Sequence, residues 1–151
     1  MRRVTSLPHP APGTSLLAPT GAADPHLGRR RAGAVAATLT AGVACFQLAL
    51  AAGAPWGRLA WGGVHAGVLP DGYRLASAAS ALTYAALTVV AGTGLLPAAP
   101  RRAVLTGAAA LMGVGTVLNL ASPSLPERLL WTPVAAALAV TFWRARPAPA
   151  R

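Results

Sequence analysis

The chain has 151 residues, and 13 arginines against 3 acidic residues give it a formal net charge of +10. Only 11% of the residues are charged and 54% are hydrophobic, whereas about 25% are charged in ordinary soluble domains. Such a chain has too few charged side chains to cover a core, which excludes an ordinary soluble globular domain. The single cysteine, Cys45, excludes an internal disulfide and a multi-cysteine metal site.

The formal charges fall in clusters that separate four long uncharged stretches, 32–57, 75–100, 103–126 and 129–143. A membrane-spanning helix needs about 20 mostly apolar residues, and the first three stretches provide them. The fourth becomes long enough if its helix begins at Leu125, because a helix from Leu125 to Trp143 is about 28 Å long. Ser124 and Glu127 there fit a capping box, in which each side chain accepts from the other residue's amide.

These patterns predict an all-α polytopic membrane protein in which four transmembrane helices form a small bundle. The helices are predicted at about 32–53, 75–96, 103–121 and 125–143, within a membrane domain covering 32–143. The proline-rich residues 1–28 and the residues 144–151 are predicted to be disordered tails.

The arginines also predict an orientation in the cell membrane. Residues 29–31, the connection containing Arg101 and Arg102, and the carboxyl-terminal tail lie on one side, and Arg58, Arg74 and Arg128 lie on the other. Because cytoplasmic loops collect the Arg and Lys excess, both termini are expected to be cytoplasmic. The charge is then mainly a topology signal, and no basic fold with interleaved aromatic residues points to nucleic acid.

The first apolar stretch has an alternative interpretation as a secretory signal peptide. Residues 29–31 would be its charged region, and Ala49-Leu50-Ala51 matches a small-residue cleavage site. The apolar run exceeds the roughly 7–15 residues of a signal core, so a retained helix is the preferred interpretation.

The connection between the first two helices, 53–74, is apolar for a loop and rich in glycine and tryptophan. Aromatic rings with one polar tip suit the membrane–water interface, so the loop is expected at headgroup level, partly tucked between the helices. It is either a structural cap or one wall of a small-molecule or lipid site. The candidate outer-loop interface comprises Trp56, Arg58, Trp61, His65 and Trp131.

One sequence pattern resembles a group of uncharacterised small bacterial four-helix integral membrane proteins. The resemblance covers roughly residues 32–143 and depends on Gly-Ala-Pro-Trp-Gly at 53–57 and Trp-Gly-Gly at 61–63. Further positions of the pattern are Leu69, Pro70, Asn119, Ser122, Ser124, Glu127, Arg128, Trp131 and Pro133. The resemblance implies the four-span topology and supplies neither an activity nor catalytic residues.

Polar side chains within the predicted spans gather in the half away from the arginine-rich side. Polar groups in lipid seek internal partners, so they are expected to point between the helices. They either hold the helices together by hydrogen bonds or line a polar cavity that opens outward. This candidate polar cluster comprises Gln47, Ser77, Ser80, Tyr84, Asn119 and Glu127.

Residues suited to catalysis are few. His65, Asp71 and Glu127 are the outer acid–base candidates, and no nucleophile motif, metal motif or phosphate-binding loop accompanies them. We therefore expect no catalytic residues, no metal and no cofactor. The expected function is that of a non-enzymatic structural or accessory membrane component; the alternative is a small-molecule or lipid transporter or binding protein. Expected partners are the lipid bilayer and either a second copy or a larger membrane-protein complex.

The topology prediction is tested with reporter fusions. Cytoplasmic reporters fused after Arg151, or inserted within 97–100, should be active because the arginine excess keeps both sites inside. A reporter inserted near His65 should be exposed on the outside. A carboxyl terminus found outside would contradict four spans.

Overall fold

The computed structural model describes residues 24–149, which form four α-helices and no β-strand. The all-helical prediction is thereby confirmed for these residues. Two short 3-10 turns, Gly57–Leu59 and Trp61–Gly63, interrupt the connection between the first two helices. The helices are α1 (Pro25–Ala51), α2 (Asp71–Gly92), α3 (Ala98–Leu120) and α4 (Leu125–Ala145).

The helix α1 begins seven residues before the predicted start, so residues 25–28 are helical and not part of a disordered tail. The Asp24 side chain accepts from the His26 amide at 2.8 Å, and Pro25 occupies the first helical position, where a missing N–H costs nothing. At the other end of the chain Arg144 and Ala145 belong to α4. Residues 146–149 follow α4 without helix or strand, and the remaining parts of the predicted tails, 1–23 and 150–151, lie outside the described residues.

Prolines, and not charges, mark the starts of α2 and α3. Pro70 and Pro97 are the N-cap residues, so each helix begins four or five residues before the prediction. Arg101 and Arg102, predicted in a connection, therefore lie in the first turns of α3. The prediction was wrong because it placed each helix start directly after a charged residue, whereas arginine is a good helix former and can lie inside a helix.

The helices pack in the order α2, α1, α4, α3, and α2 and α3 touch only slightly. The core between them is built from alanines and a few larger side chains, among them Val43, Leu105, Leu138 and Phe142. We call the end that carries residues 29–31, 101–102 and 144–146 the arginine end. The opposite end, which carries the α1–α2 connection and the short turn before α4, is the loop end.

Arginine side chains at the arginine end bind backbone carbonyls of neighbouring segments. Arg101 donates to the carbonyl oxygens of Val90 at 3.0 Å and Ala91 at 2.9 Å, in the last turn of α2. Arg102 donates to the carbonyl of Pro147 at 2.7 Å, beyond the end of α4. Such bonds satisfy carbonyls that a helix leaves without partners, so Arg101 joins α3 to the end of α2.

Three helices, α1, α2 and α3, are long and apolar enough to cross a membrane. Their outward surfaces are apolar: Leu82 is 74% exposed, Val117 66% and Leu111 60%. An exposed apolar surface of this extent is typical of a protein surrounded by lipid, so these helices indicate a membrane protein. The helix α4 has 21 residues, contains two prolines, carries charged residues at both ends and is not among these three.

The contact between α1 and α2 at the arginine end generates a stability prediction. A Cβ on Gly33 would lie 2.7 Å from the carbonyl oxygen of Ala91, whereas one on Gly42, in the same helix, would meet nothing within 4 Å. Both Gly→Ala changes gain about 0.8–1 kcal/mol of helix propensity, and only the first overpacks a contact, at about 1–3 kcal/mol. Gly33→Ala should therefore unfold at a lower temperature than Gly42→Ala in detergent. Equal midpoints would disprove the close approach.

Candidate functional site

The Glu127 carboxylate joins three segments of the chain at the loop end. One oxygen accepts from the backbone N–H of Gly62 in the α1–α2 connection at 3.1 Å. The other accepts from the Ser122 hydroxyl in the turn before α4. Glu127 itself lies in the first turn of α4 and is 7% exposed. Its side chain therefore fastens the connection and the turn to the start of the helix.

Only half of the predicted capping box forms. The Ser124 hydroxyl accepts from the Glu127 amide at 3.5 Å, as predicted. The reverse bond is absent here because the Ser124 amide donates to the Ser122 hydroxyl, at 3.2 Å, and the Glu127 carboxylate is turned toward Gly62. The residue predicted to cap its own helix thus binds the α1–α2 connection instead.

Two tryptophans and a serine complete the attachment of the connection. The Trp61 indole donates to the Ser77 hydroxyl of α2 at 3.1 Å, and the Trp131 indole of α4 donates to the carbonyl of Leu59. The Ser124 hydroxyl donates to the carbonyl of Arg58 at 2.7 Å. The connection therefore binds both α2 and α4, which otherwise lie on opposite sides of α1.

Glycine is required where the connection meets α4. Gly62 and Gly63 have φ of 78° and 69°, a region that residues with a Cβ rarely adopt. A Cβ on Gly63 would also collide with the side chain of Ser124. The Trp-Gly-Gly sequence thus permits the turn that presents the Gly62 amide to Glu127.

Beneath the connection lies a cavity of about 170 Å³ to which all four helices contribute. Gln47 comes from α1, Tyr84 from α2, Asn119 from α3, and Glu127 from α4. The remaining lining residues are Val43, Phe46, Ala60, Trp61 and Trp131. The cavity is thus a meeting point of the connection and every helix of the described chain.

The structure brings together four of the six residues of the candidate polar cluster. Gln47, Tyr84, Asn119 and Glu127 line the cavity. Ser77 is fully buried and binds Trp61. Ser80, partly buried on the same helix, is outside the cavity lining. A polar bond between helices does exist deeper in the protein, where the hydroxyls of Thr88 and Thr40 lie 2.9 Å apart.

The residues of the candidate outer-loop interface also fall into two groups, those that line the cavity and those that do not. Trp61 and Trp131 line the cavity, while Trp56 is 45% exposed and stacks on Phe46. The exposed Arg58 contributes only its carbonyl, and the ring of His65 packs against Tyr73 with centroids 5.0 Å apart.

Sequence reasoning placed neither Phe46 nor Ser122 among the candidate site residues, although Ser122 is a position of the sequence pattern. Phe46 lies in the lining and packs edge-on against Trp131, with ring centroids 4.8 Å apart. The available signal was its position beside Gln47 as the sole Phe, Trp or Tyr of α1. Ser122 is buried against Glu127, and nothing in its local sequence distinguishes it from a turn residue.

The charge of Glu127 has no basic partner among the described residues, where the ion pair found is Arg74 with Asp71 at 3.3 Å. The neighbouring Arg128 donates instead to the carbonyl of Ser122, at 2.7 and 3.2 Å. The cavity is therefore bounded by a carboxylate that no basic side chain of the described residues pairs with, although its place in the first turn of α4 is one where the helix dipole favours a negative charge.

The lining supports binding better than catalysis. It contains no histidine, cysteine, serine or lysine, which are common catalytic bases and nucleophiles. Both Glu127 oxygens already accept hydrogen bonds, so the carboxylate is held as a fixed charge. Within residues 24–149 no group of three or more His, Cys, Asp or Glu side chains is placed to hold a metal ion.

A comparison of the chain with known protein families, with curated proteins and with solved structures finds no match.

The attachment by Glu127 is tested by substitution. Glu127→Ala removes two hydrogen bonds to a charged acceptor, each of a kind worth about 1.5–3 kcal/mol. It should lower the thermal unfolding midpoint and make the connection, residues 52–70, sensitive to protease. Glu127→Gln should have a smaller effect, because its amide oxygen accepts from Gly62 and its amide nitrogen donates to Ser122.

The matched control is Asp71→Ala, which removes a fully exposed carboxylate at the same end. Exposed ion pairs contribute about 0–1 kcal/mol, so this variant should keep a near-native midpoint and a protected connection. Equal sensitivity of the Glu127→Ala and Asp71→Ala proteins would contradict the role given to Glu127.

Proposed function

We propose that this protein is a four-pass integral membrane protein that binds a small hydrogen-bonding molecule in the loop-end cavity. One observation carries the proposal: side chains from all four helices and the connection converge on one cavity of about 170 Å³. Polar residues that only held helices together would pair with one another, as Thr88 and Thr40 do. The Gln47 side-chain oxygen is instead buried without a hydrogen-bond partner.

An unpartnered buried oxygen favours a ligand or water at this position. Leaving such a group unpaired costs about 1–3 kcal/mol, so native proteins nearly always supply a partner. Gln47 lies in the cavity lining, and a molecule with an N–H or O–H group bound there would supply the missing donor.

The size of the cavity limits the ligand. Drug-sized ligands occupy about 300–1,000 Å³, whereas a protein cavity of about 150 Å³ holds benzene. The cavity of about 170 Å³ therefore suits a molecule of roughly six non-hydrogen atoms. A phospholipid is too large to be enclosed.

The proposed topology adds α4 as the fourth span and places both termini in the cytoplasm. The arginine end would face the cytoplasm, in accordance with the positive-inside rule, and the loop end would face outward. The 21 residues of α4 correspond to about 31 Å, the thickness of the hydrocarbon core. The cavity then opens near the outer surface, where a water-soluble ligand can reach it.

A second candidate function is that of a non-enzymatic structural or accessory component of a membrane complex. It is supported by the apolar outer surface of the connection, where Val64 is 75% exposed, Val68 55% and Trp56 45%. The connection is also firmly attached to α2 and α4. A fixed apolar surface of this kind is typical of a contact with another membrane protein or with headgroups.

Cysteine accessibility distinguishes the two candidates. In a Cys45→Ala background, Asn119→Cys should react in membranes with a small water-soluble methanethiosulfonate reagent, because the cavity admits water. Leu118→Cys is the matched control: this neighbour on α3 is 66% exposed on the helix surface and would face lipid, which excludes the reagent. Labelling should be read as a mass shift of the intact protein.

An unreactive cysteine at 119 in a protein of native stability would overturn the binding function and leave the accessory function. Equal reactivity at 118 and 119 would contradict the membrane setting, because both helix faces would then be in water.

A further inference from the structure

We propose that the ligand of the loop-end cavity is a small organic ammonium ion. This inference deepens the proposed binding function and rests on it. The first observation is aromatic: Phe46, Trp61, Tyr84 and Trp131 all line the cavity. The faces of aromatic rings attract cations, and cages of such rings recognise substituted ammonium groups.

The rings belong to three helices and the connection, and contacts between side chains and backbone hold them in place. Phe46 packs edge-on against Trp131, and Trp61 packs edge-on against Tyr73 with centroids 5.7 Å apart. The indole nitrogens of Trp61 and Trp131 are both occupied by acceptors in the protein. These two tryptophans therefore offer the cavity carbon surface and not hydrogen-bond donors.

The second observation is the sign of the charge. Glu127 is the one charged residue in the lining, it is 7% exposed, and no basic side chain in the described part of the chain pairs with it. Buried charges are normally paired, because removing them from water is costly. A cationic ligand would provide the missing charge.

The third observation is the kind of hydrogen-bonding group in the lining that has no partner in the protein. The buried side-chain atom without a partner in a lining residue is an acceptor, the Gln47 oxygen, while the Asn119 amide in the same lining offers both an acceptor and a donor. An N–H group on the ligand would satisfy the Gln47 oxygen, whereas an anion would meet a second oxygen and the carboxylate. The rings, the charge and the acceptor thus all favour an ammonium ion and disfavour an anionic ligand.

The experiment uses tert-butylammonium chloride as the probe and the full-length protein reconstituted in zwitterionic lipid. Because Trp61 and Trp131 line the cavity, binding should change the tryptophan fluorescence in a saturable way. The matched probe is tert-butanol, a neutral hydrogen-bond donor of the same shape, and sodium chloride controls for ionic strength. We expect saturation with tert-butylammonium alone.

Two substitution pairs locate the binding site. Tyr84→Leu removes a ring and should weaken binding several-fold, while Tyr84→Phe keeps the ring and should bind like the native protein. Glu127→Gln keeps the shape of the side chain and removes its charge, so it should weaken binding at least about tenfold. Asp71→Asn, which removes a carboxylate outside the cavity, should leave the affinity unchanged. The tyrosine pair remains decisive if the Glu127 variant does not fold.

The outcomes separate this inference from the function on which it rests. Saturable binding of tert-butanol as strong as that of tert-butylammonium would overturn the ammonium proposal and leave a small-molecule site. Absence of tert-butylammonium binding, in a protein whose cysteine at 119 reacts with the thiol reagent, would do the same. An unreactive cysteine at 119 would overturn both. Equal effects of Tyr84→Leu and Tyr84→Phe would place the cation elsewhere.

Discussion

The buried Glu127 carboxylate is the interaction on which the loop end depends. It accepts from the amide of Gly62, far away in the sequence, and from the hydroxyl of Ser122, in the turn just before its helix. Hydrogen bonds to a charged acceptor are the stronger kind. One of them holds the glycine-rich connection, whose regular structure is limited to two short 3-10 turns, and the other holds the turn before α4. The same two bonds hold the negative charge at the cavity wall. The Glu127 side chain therefore both attaches the loop-end segments and sets the charge of the cavity.

The two ends of the helices are closed by different chemistry. At the arginine end, guanidinium groups reach backbone carbonyls of neighbouring segments, as Arg101 does at Val90 and Ala91. At the loop end, α2 and α3 touch little, and the connection bridges α2 and α4 through Trp61 and Ser124. Side-chain bridges of this kind hold helices together without filling the volume between them, and the loop-end cavity lies beneath the connection that forms them.

The sequence predicts the helical class well and the helix starts poorly, for a physical reason. The helical class is predictable because long apolar runs indicate segments that are buried in lipid or protein. The start of α4 at Leu125 is predicted correctly because Ser124 is a local cap signal. The starts of α2 and α3 were misplaced because prolines at the N-cap, Pro70 and Pro97, outweigh the positions of charges. Grouping polar residues by depth in the membrane identified Gln47, Tyr84, Asn119 and Glu127. It did not reveal that Ser77 is bound by Trp61, since that pairing depends on how the connection folds.

The cost of burying a lone carboxylate links ligand binding to the order of the loop end. Holding Glu127 away from water without a cation is unfavourable, and its two hydrogen bonds offset that cost only in part, because they neutralise no charge. A cation among Phe46, Trp61, Tyr84 and Trp131 would lower the cost without displacing either bond, since the cavity lies beside Glu127 and the bonds lead away to Gly62 and Ser122. A ligand that binds the folded state selectively stabilises it. The ligand would therefore tighten the attachment of the connection, and the glycines that permit its turn would allow it to loosen when the cavity is empty.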